Sequence, residues 1–295
     1  MRVLFASIIL LVAACGQAIS ETNQETKITG LPTQAGNTAN APAISTDNLN
    51  IPELSSFIKE WNGGELESIR SIYTTDARYY YGSDLDKFSQ REEMDPLVSG
   101  MEFSRKVKDL SGSTIKILGE PFGIYEKLAA FQYARESSKG IEKGVTLLRF
   151  EDGKVLLQVD LPAHDDPGKV ASAENLDLQE LLRIWNEADR SAAEREYEAN
   201  AVVLSDEDLM EAPWRDHQVP PTLQTLLYQF KGWNPEVIGE PIRVGDTLLF
   251  SWRWFDKDYP VGYGIRAIQA GESGITRDIR MVIRPWETSS TFMVP

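Results

Sequence analysis

The chain repeats one pattern twice, and this internal duplication constrains its fold more than any other feature. Four apolar residues with the spacing of a helix face recur 124 residues later, as Leu54, Phe57, Ile58 and Trp61 and then as Leu178, Leu181, Leu182 and Trp185. Asparagine follows both tryptophans, and Tyr73 recurs as Tyr197. The Gly-Glu-Pro at 119–121 recurs at 239–241, where the offset has become 120. Two domains of one kind are therefore expected, over residues 51–165 and 172–288.

The order of elements within each copy indicates an α+β fold. In the first copy an amphipathic helix is predicted to end near Tyr73, before a strand and a loop that carries more helix over 88–110. The strand before this loop is predicted over 77–81, and further strand-like runs lie after it at 114–125, 128–135, 144–150 and 154–161. Their counterparts in the second copy lie at 201–205, 236–244, 247–255, 262–270 and 274–283. Helices that precede a meander of strands form a layer apart from the sheet, whereas a parallel α/β sheet alternates the two. At the later offset Leu128 is expected to correspond to Leu248, and Gly144 to Gly264.

The N-terminus has the pattern of an export signal that ends in a cysteine. Met1-Arg2 precedes an apolar run over 3–14, and Cys15 is the only cysteine of the chain. This run is too short for a bilayer, which needs about 20 residues, but is typical of a signal peptide. Residues 12–15, Val-Ala-Ala-Cys, resemble the bacterial lipobox, which implies cleavage after residue 14 and lipidation of Cys15 by an acyl chain such as palmitate. The alternatives are an ordinary secretory signal and a short membrane anchor.

Residues 16–50 have the composition of a disordered tether. They are rich in Thr, Asn, Gln, Ala and Ser and contain no aromatic residue, so they cannot bury enough apolar surface to fold. The layout expected is a signal over 1–14, the lipidated Cys15 with its tether over 15–50, and then the two copies. A net charge of −15 disfavours nucleic acid as a partner. We expect a lipid-anchored protein of the bacterial cell envelope, at the outer membrane and facing the periplasm.

The duplicated pattern resembles the nuclear transport factor 2-like (SnoaL-like) superfamily. Three segments carry the resemblance, each with a counterpart in the second copy: Trp61-Asn62, the run YTTDARY at 73–79 and the Gly-Glu-Pro at 119–121, matched by Trp185-Asn186, YEANAVV at 197–203 and 239–241. The resemblance implies two tandem cone-shaped domains, each with helices packed on a strongly curved mixed or antiparallel sheet and a pocket at its open end. Such domains include isomerases, dehydratases, hydrolases and binding modules, so the fold assigns no reaction.

The position of the catalytic base in isomerase-like members is occupied by other residues in this chain. Those members carry a carboxylate four residues beyond the alanine of the Asp-Ala step, where this chain has Tyr81 and Ser205. Both hydroxyls stay protonated at pH 7 and are poor bases without a basic partner. We therefore predict no catalytic residue and no buried carboxylate aimed into either pocket, with the nearby Asp84 and Asp206 on solvent.

Two aromatic clusters are the candidate ligand-binding residues. Tyr79 and Tyr81 alternate along a predicted strand and would share the face that looks into the cone or onto the helices. A tyrosine-lined pocket suits an apolar or aromatic ligand with a polar end, although ordinary core packing explains the same pattern. In the second copy Trp252 and Trp254 share one face, and we expect them to form the contact between the copies, with a ligand shelf as the other use.

The function predicted is that of a membrane-tethered lipoprotein whose non-catalytic domains bind a small apolar or aromatic ligand or an envelope protein. The copies are expected to pair with each other through their sheets. No cofactor and no metal site are expected, since His164 and His217 have no ligand-spaced partners. Two other classes stay open: an isomerase-, dehydratase- or hydrolase-like enzyme with one active cone, and a structural component of an envelope assembly.

Overall fold

The computed structural model describes residues 51–89, 107–108, 112–164, 172–211, 223, 227, 231–256 and 259–284, all within one compact unit. Cys15, the predicted signal peptide and the predicted tether lie outside these residues, as do Trp214, His217 and most of the helix predicted over 88–110. Among the described helices, none has both the length and the apolar composition needed to cross a membrane.

The first copy is a five-stranded mixed sheet with helices on one face. Helices α1 (Pro52–Gly63) and α2 (Leu66–Ser71) precede strand β1 (Tyr73–Tyr81) and helix α3 (Gly82–Ser89). A meander follows, as β2 (Thr114–Ile124), β3 (Leu128–Ser137), β4 (Gly140–Glu151) and β5 (Lys154–Pro162). The strand order is β1-β5-β4-β3-β2, in which β1 pairs with β5 in parallel and the other neighbours are antiparallel.

The second copy repeats this topology. A short 3₁₀ turn (Ala173–Asn175) leads to α4 (Leu178–Glu187), α5 (Arg190–Glu196), β6 (Tyr197–Ser205) and α6 (Asp206–Glu211). Its meander is β7 (Asn234–Val244), β8 (Thr247–Asp256), β9 (Tyr259–Ala270) and β10 (Ile275–Ile283), in the sheet order β6-β10-β9-β8-β7. The predicted α+β fold of two tandem domains is confirmed.

The duplicated Gly-Glu-Pro forms the same backbone irregularity in both copies. Gly119 and Gly239 have φ of 68° and 72°, a left-handed conformation that favours glycine. The pairing of β2 with β3 shifts register across 118–122, and that of β7 with β8 shifts across 238–242. An irregularity of this kind bends a strand and increases its twist, so the sequence motif is explained by the curvature of the sheet.

Two details of the predicted copies are corrected. The first helix of each copy is broken in two, because Gly64 (φ 74°) and Ala188 (φ 54°) end α1 and α4 in the left-handed conformation.

The third strand of the second copy is displaced by one residue relative to the offset of 120 that the sequence predicts. Tyr133 pairs with Gly144, whereas Trp252 pairs with Gly264. The turn from β2 to β3 spans 125–127 and the turn from β7 to β8 only 245–246, so Leu128 corresponds to Thr247 rather than to Leu248.

The two sheets pack on each other through a shared apolar cluster. Alternation along β1 sends Tyr79 into the first copy and Tyr80 to the shared face, where its hydroxyl donates to the carbonyl of Leu209 at 2.8 Å. The members of this cluster come from both sheets, among them Leu147, Val159, Leu161, Leu249, Ile265 and Met281. Two further clusters lie between each sheet and its own helices. Each copy therefore presents one sheet face to its helices and the other to its neighbour.

A buried ion pair crosses this contact between the copies. The guanidinium of Arg149 on β4 donates to the carboxylate of Asp206 at the start of α6, and its Nη1 also donates to the carbonyl of Val282 at 2.9 Å. Asp206 is almost wholly inaccessible, which contradicts the expectation that it lies on solvent. Burial raises the pKa of Asp206 from 3.8 to about 6, against the opposing effect of Arg149.

This shift predicts that the protein loses stability as the pH rises from about 4 to about 6. In that window the folded carboxyl still holds a proton that the unfolded one has released, so the free energy of unfolding falls, by at most about 3 kcal/mol from this group. Urea denaturation between pH 4 and 7 should show a shallower dependence in Asp206→Asn than in the wild type. The exposed Glu236→Gln variant is the control and should follow the wild type. Equal slopes in all three proteins would contradict the assignment.

Candidate functional site

A fully buried carboxylate, Asp160 on β5, organises the interior of the first copy. Its Oδ2 accepts from the hydroxyl of Tyr79 at 2.6 Å and from Arg135 Nη2. Its Oδ1 accepts from the hydroxyl of Thr146 at 2.8 Å and from Gln158 Nε2 at 3.0 Å. Because these four donors come from three neighbouring strands and from β1, Asp160 is a positioning residue that fixes the orientation of Tyr79 and Arg135.

A second carboxylate, Glu142 near the start of β4, shares the same arginine closer to the surface. Its Oε1 accepts from the hydroxyl of Tyr133 at 2.8 Å and from Arg135 Nη1 at 3.0 Å, and its Oε2 accepts from the hydroxyl of Tyr81. The register explains the arrangement, since Glu142 lies directly opposite Arg135 in the β3–β4 pair. The Glu142 side chain is 34% exposed, so solvent reaches it.

Burial keeps the tyrosines of this network protonated. It raises the pKa of Tyr79 and Tyr133 well above 10, and the negative charge of Asp160 adds to the effect. For Tyr81, burial comes first and the hydrogen bond to Glu142 raises the pKa further. For Arg135, burial lowers the pKa, but the attraction of Asp160, its hydrogen bond and the neighbouring tyrosines together outweigh burial, so the pKa is raised and the guanidinium stays charged. All three tyrosines are thus hydrogen-bond donors to carboxylates at neutral pH.

A cavity of about 470 Å³ adjoins this network and reaches the surface. Its lining is Tyr81, Gly112, Ser113, Arg135, Ser137, Ser138, Lys139, Gly140, Ile141 and Glu142. The volume lies within the range of small-molecule sites, which is about 300–1,000 Å³. Serine, tyrosine and charged side chains dominate the lining, and its large apolar member, Ile141, is 68% exposed. The geometry therefore suits a polar molecule better than the apolar or aromatic ligand that the two tyrosines alone had suggested.

The structure brings some of the predicted residues together and shows where the nearby carboxylates lie. Tyr81 lines the cavity, and Tyr79 lies in the network behind it. Asp160 and Asp278 have no accessible surface, but neither belongs to the lining of the cavity, so they leave the prediction of no buried carboxylate aimed into a pocket standing as a prediction. Asp84, half-buried, accepts from the backbone N–H of Tyr81 at 2.8 Å at the start of α3. Asp84 is therefore a turn residue rather than a displaced catalytic base.

The second copy carries different residues at every key position of the site. The strand pairings make Tyr81 equivalent to Ser205 and Asp160 equivalent to Arg280. In the β3–β4 pair, Arg135 opposite Glu142 is replaced in the second copy by tryptophan opposite glycine, Trp254 and Gly262. The carboxylate that faces the cavity in the first copy has thus been lost from the second.

Indole rings occupy the corresponding interior of the second copy. A Cβ built on Gly262 would collide with the ring of Trp254, and one on Gly264 would lie 2.6 Å from Trp252 Nε1. Both tryptophans are buried in the cluster between this sheet and its own helices. The expectation that they form the contact between the copies is therefore wrong, because the glycines opposite them leave room on the inner face of the sheet.

A buried ion pair holds the polar residues of the second copy. Arg266 Nε donates to Asp278 Oδ1 at 2.6 Å, and the hydroxyl of Tyr197 donates to Asp278 Oδ2 at 2.5 Å. The guanidinium of Arg266 lies 3.3 Å from the ring centre of Trp185. Aromatic and charged side chains are thus packed together in the interior of the second copy.

Metal ligation is not favoured by the donor set. Among the described residues, no three His, Cys, Asp or Glu side chains are grouped so that they could hold an ion. His164 Nδ1 lies 2.9 Å from the buried carboxylate of Asp246, in a contact that joins the end of the first copy to the turn between β7 and β8. His164 therefore has a structural partner.

Comparison with known proteins adds structural neighbours but no family assignment. No family model matches the sequence, and no curated protein matches it. Similar solved structures include an NTF2-like protein of unknown function from Cytophaga hutchinsonii, with 10% identity and a TM-score of 0.28 over 41% of this chain and 92% of that one. A putative SnoaL-like isomerase from Agrobacterium tumefaciens has 19% identity and a TM-score of 0.28 over 36% and 92%.

A putative ketosteroid isomerase from Kribbella flavida is a third such structure, with 14% identity and a TM-score of 0.30 over 43% of this chain and 87% of that one. At these identities and TM-scores, nothing about activity passes from these proteins to this chain. Fold and site together define an α+β protein of two tandem copies, the first with a polar cavity and the second filled by tryptophan.

Proposed function

We propose that this chain is a membrane-tethered cell-envelope lipoprotein whose first copy binds a small polar molecule. One observation carries the binding proposal: Tyr81, Arg135 and Glu142 line the cavity of the first copy, and all three are replaced at the equivalent positions of the second. Filling one copy with aromatic rings stabilises the fold, whereas keeping charged groups beside a cavity in the other is costly without a ligand role.

The proposed ligand enters from the surface and contacts Glu142, which is the accessible carboxylate of the network. Asp160 stays behind it and holds Arg135 in place through charge-assisted hydrogen bonds. The second copy supports the first through the shared apolar cluster. One copy that binds and one copy that stabilises it would account for the retention of both copies in one chain.

A screen of small molecules against matched variants tests the binding proposal. Saturation-transfer NMR on the full chain in detergent micelles would use a fixed panel of amines, polyols, carboxylates and indole. We expect at least one polar member to bind, with affinity reduced tenfold or more in Glu142→Gln, because a charged hydrogen bond contributes about 1.5–3 kcal/mol. Glu136→Gln removes a surface charge paired with Lys116 on the neighbouring strand and is the control.

The control variant should bind like the wild type. A panel with no polar binder, a preference for indole, or equal affinities in Glu142→Gln and the wild type would contradict the proposal.

The tether proposal rests on Cys15 and has its own test. Changing Cys15 to serine should release the chain from the membrane fraction and abolish labelling by a radioactive or clickable fatty acid. A flexible coil of 35 residues reaches about 30–35 Å, so a tether of that length would keep the folded copies close to the membrane. Unchanged membrane retention of the serine variant would refute lipid anchoring.

An enzyme with one active copy is the second candidate, and the contact between Tyr81 and Glu142 favours it. A carboxylate that accepts from a phenol at the edge of a cavity has the parts of an acid–base pair. Turnover of any panel member by the wild type, lost in both Glu142→Gln and Tyr81→Phe, would replace the binding proposal with this one.

A further inference from the structure

The two copies also contact each other through a pair of tyrosines at a solvent-exposed edge. Tyr125 lies in the turn between β2 and β3, and Tyr263 lies on β9, where it packs against the shared apolar cluster. The two ring centres are 5.1 Å apart, and the rings meet edge to face at 76°. The hydrogen bond between the two hydroxyls is the main cause that raises the pKa of Tyr125 to about 12. The phenol oxygens, and with them the ortho carbons beside them, are therefore close together.

This pair is not part of the duplicated pattern of the fold. The position of Tyr125 is occupied by Gly245 in the shorter turn of the second copy, and that of Tyr263 by Lys143 in the first copy. Tyr125 and Glu126 also have φ of 51° and 56°, a left-handed conformation that is unfavourable for residues other than glycine. Because backbone strain of this kind is concentrated at functional sites, the exposed aromatic turn indicates a role that belongs to the pair itself.

Accessibility distinguishes this pair from the other tyrosines that the structure describes. Tyr125 is 46% exposed and Tyr263 is half-buried. The hydroxyl of Tyr81 is engaged by the carboxylate of Glu142. The remaining described tyrosines are at most 4% exposed: Tyr73, Tyr79, Tyr80, Tyr133 and Tyr197. An oxidant in solution therefore reaches Tyr125 before these buried rings, and it finds a second phenol already in contact with it.

We propose that Tyr125 and Tyr263 are an oxidative cross-linking site that joins the two copies as a dityrosine. A haem peroxidase with hydrogen peroxide takes one electron from each phenol, and each hydroxyl releases its proton. The two phenoxyl radicals join through a bond between ortho carbons, and the hydrogens on these carbons then move to the oxygens and restore both phenols. The chain loses two hydrogen atoms, and the peroxide becomes two water molecules. This inference goes beyond ligand binding and does not depend on it.

Treatment of the dilute full chain in detergent micelles with a plant haem peroxidase and one equivalent of hydrogen peroxide tests the site. We expect dityrosine fluorescence, a mass lower by two hydrogens, and one cross-linked pair of tryptic peptides, 117–127 with 258–266. Tyr125→Phe and Tyr263→Phe should each lower the yield of this pair at least tenfold. Tyr259→Phe removes the other tyrosine of the second peptide and is the matched control, which should cross-link like the wild type.

The cross-link should also raise the urea concentration at which the chain unfolds, because a covalent bond that closes a long loop restricts the unfolded chain. No cross-link in the wild type, coupling only between separate chains, a bond to another tyrosine, or an equal yield in either phenylalanine variant of the pair would overturn the site. A bond between Tyr125 and Tyr263 without a rise in the urea midpoint would overturn its role in joining the copies.

Discussion

Replacing Asp160 with alanine is expected to lower the free energy of unfolding by about 3–5 kcal/mol, the usual cost of removing one member of a buried ion pair. The carboxylate has no accessible surface, and its loss leaves four donors without their acceptor. Arg135 would keep only its contact with Glu142. Urea denaturation at pH 7, followed by circular dichroism, measures the change.

Glu136→Ala is the matched control for that variant. It removes a carboxylate from β3 whose partner, Lys116, is on the surface, and exposed pairs contribute about 0–1 kcal/mol. A loss below 1 kcal/mol in Asp160→Ala would show that the network does not organise the interior of the first copy.

Trp254→Ala should lower the free energy of unfolding by about 3–5 kcal/mol as well, because a large buried ring leaves a cavity that its surroundings fill only in part. The ring lies against Gly262 and 4.6 Å, centre to centre, from Trp252. Trp254 occupies the position that Arg135 has in the first copy, so this variant also leaves space at that position of the second copy. Urea denaturation measures the loss in the free energy of unfolding.

Trp233 supplies the comparison for this ring. It stacks on Trp254 at 6.1 Å between ring centres but is 36% exposed, so Trp233→Ala should cost about 1 kcal/mol, the contribution typical of an aromatic pair. Equal losses in the two variants would contradict the view that Trp254 fills the second copy.

The repeated sequence pattern predicted the topology well because it reports on packing. Apolar spacing in α1 and α4 and the turn glycines recur in both copies, and each has a local cause in helix periodicity or backbone conformation. The one-residue displacement of β8 was not predictable from the offset at 119–121, because it arises from the length of the next turn. Register depends on turn length, and the turn glycine and aspartate at 245–246 are weak signals.

The site was harder to predict because its members come from separate strands. Alternation in β1 identified Tyr79 and Tyr81, yet the residues that pair with them, Arg135, Glu142 and Asp160, become neighbours only through the register of β3, β4 and β5. A sequence signal did exist: Asp160 interrupts an apolar strand, and a charged residue in such a position is rarely buried without partners.

The tryptophans of β8 show why composition alone misassigned their role. A strand with indole rings on one face fits an interface as well as a core. The sequence alone does not indicate which face of the strand contacts the other copy. The glycines at 262 and 264 on the next strand were the informative residues, because they make room for rings on the inner face.

The most direct test of the account is to locate the bound molecule by NMR. The assigned ¹H–¹⁵N spectrum of the full chain would be titrated with the member of the panel that binds most tightly. We expect shifts concentrated at 112–113 and 135–142, with residues 254–262 of the second copy, which correspond to 135–142, unchanged. Shifts concentrated in the second copy, or shifts at the cavity that persist at the same concentrations in Glu142→Gln, would contradict it.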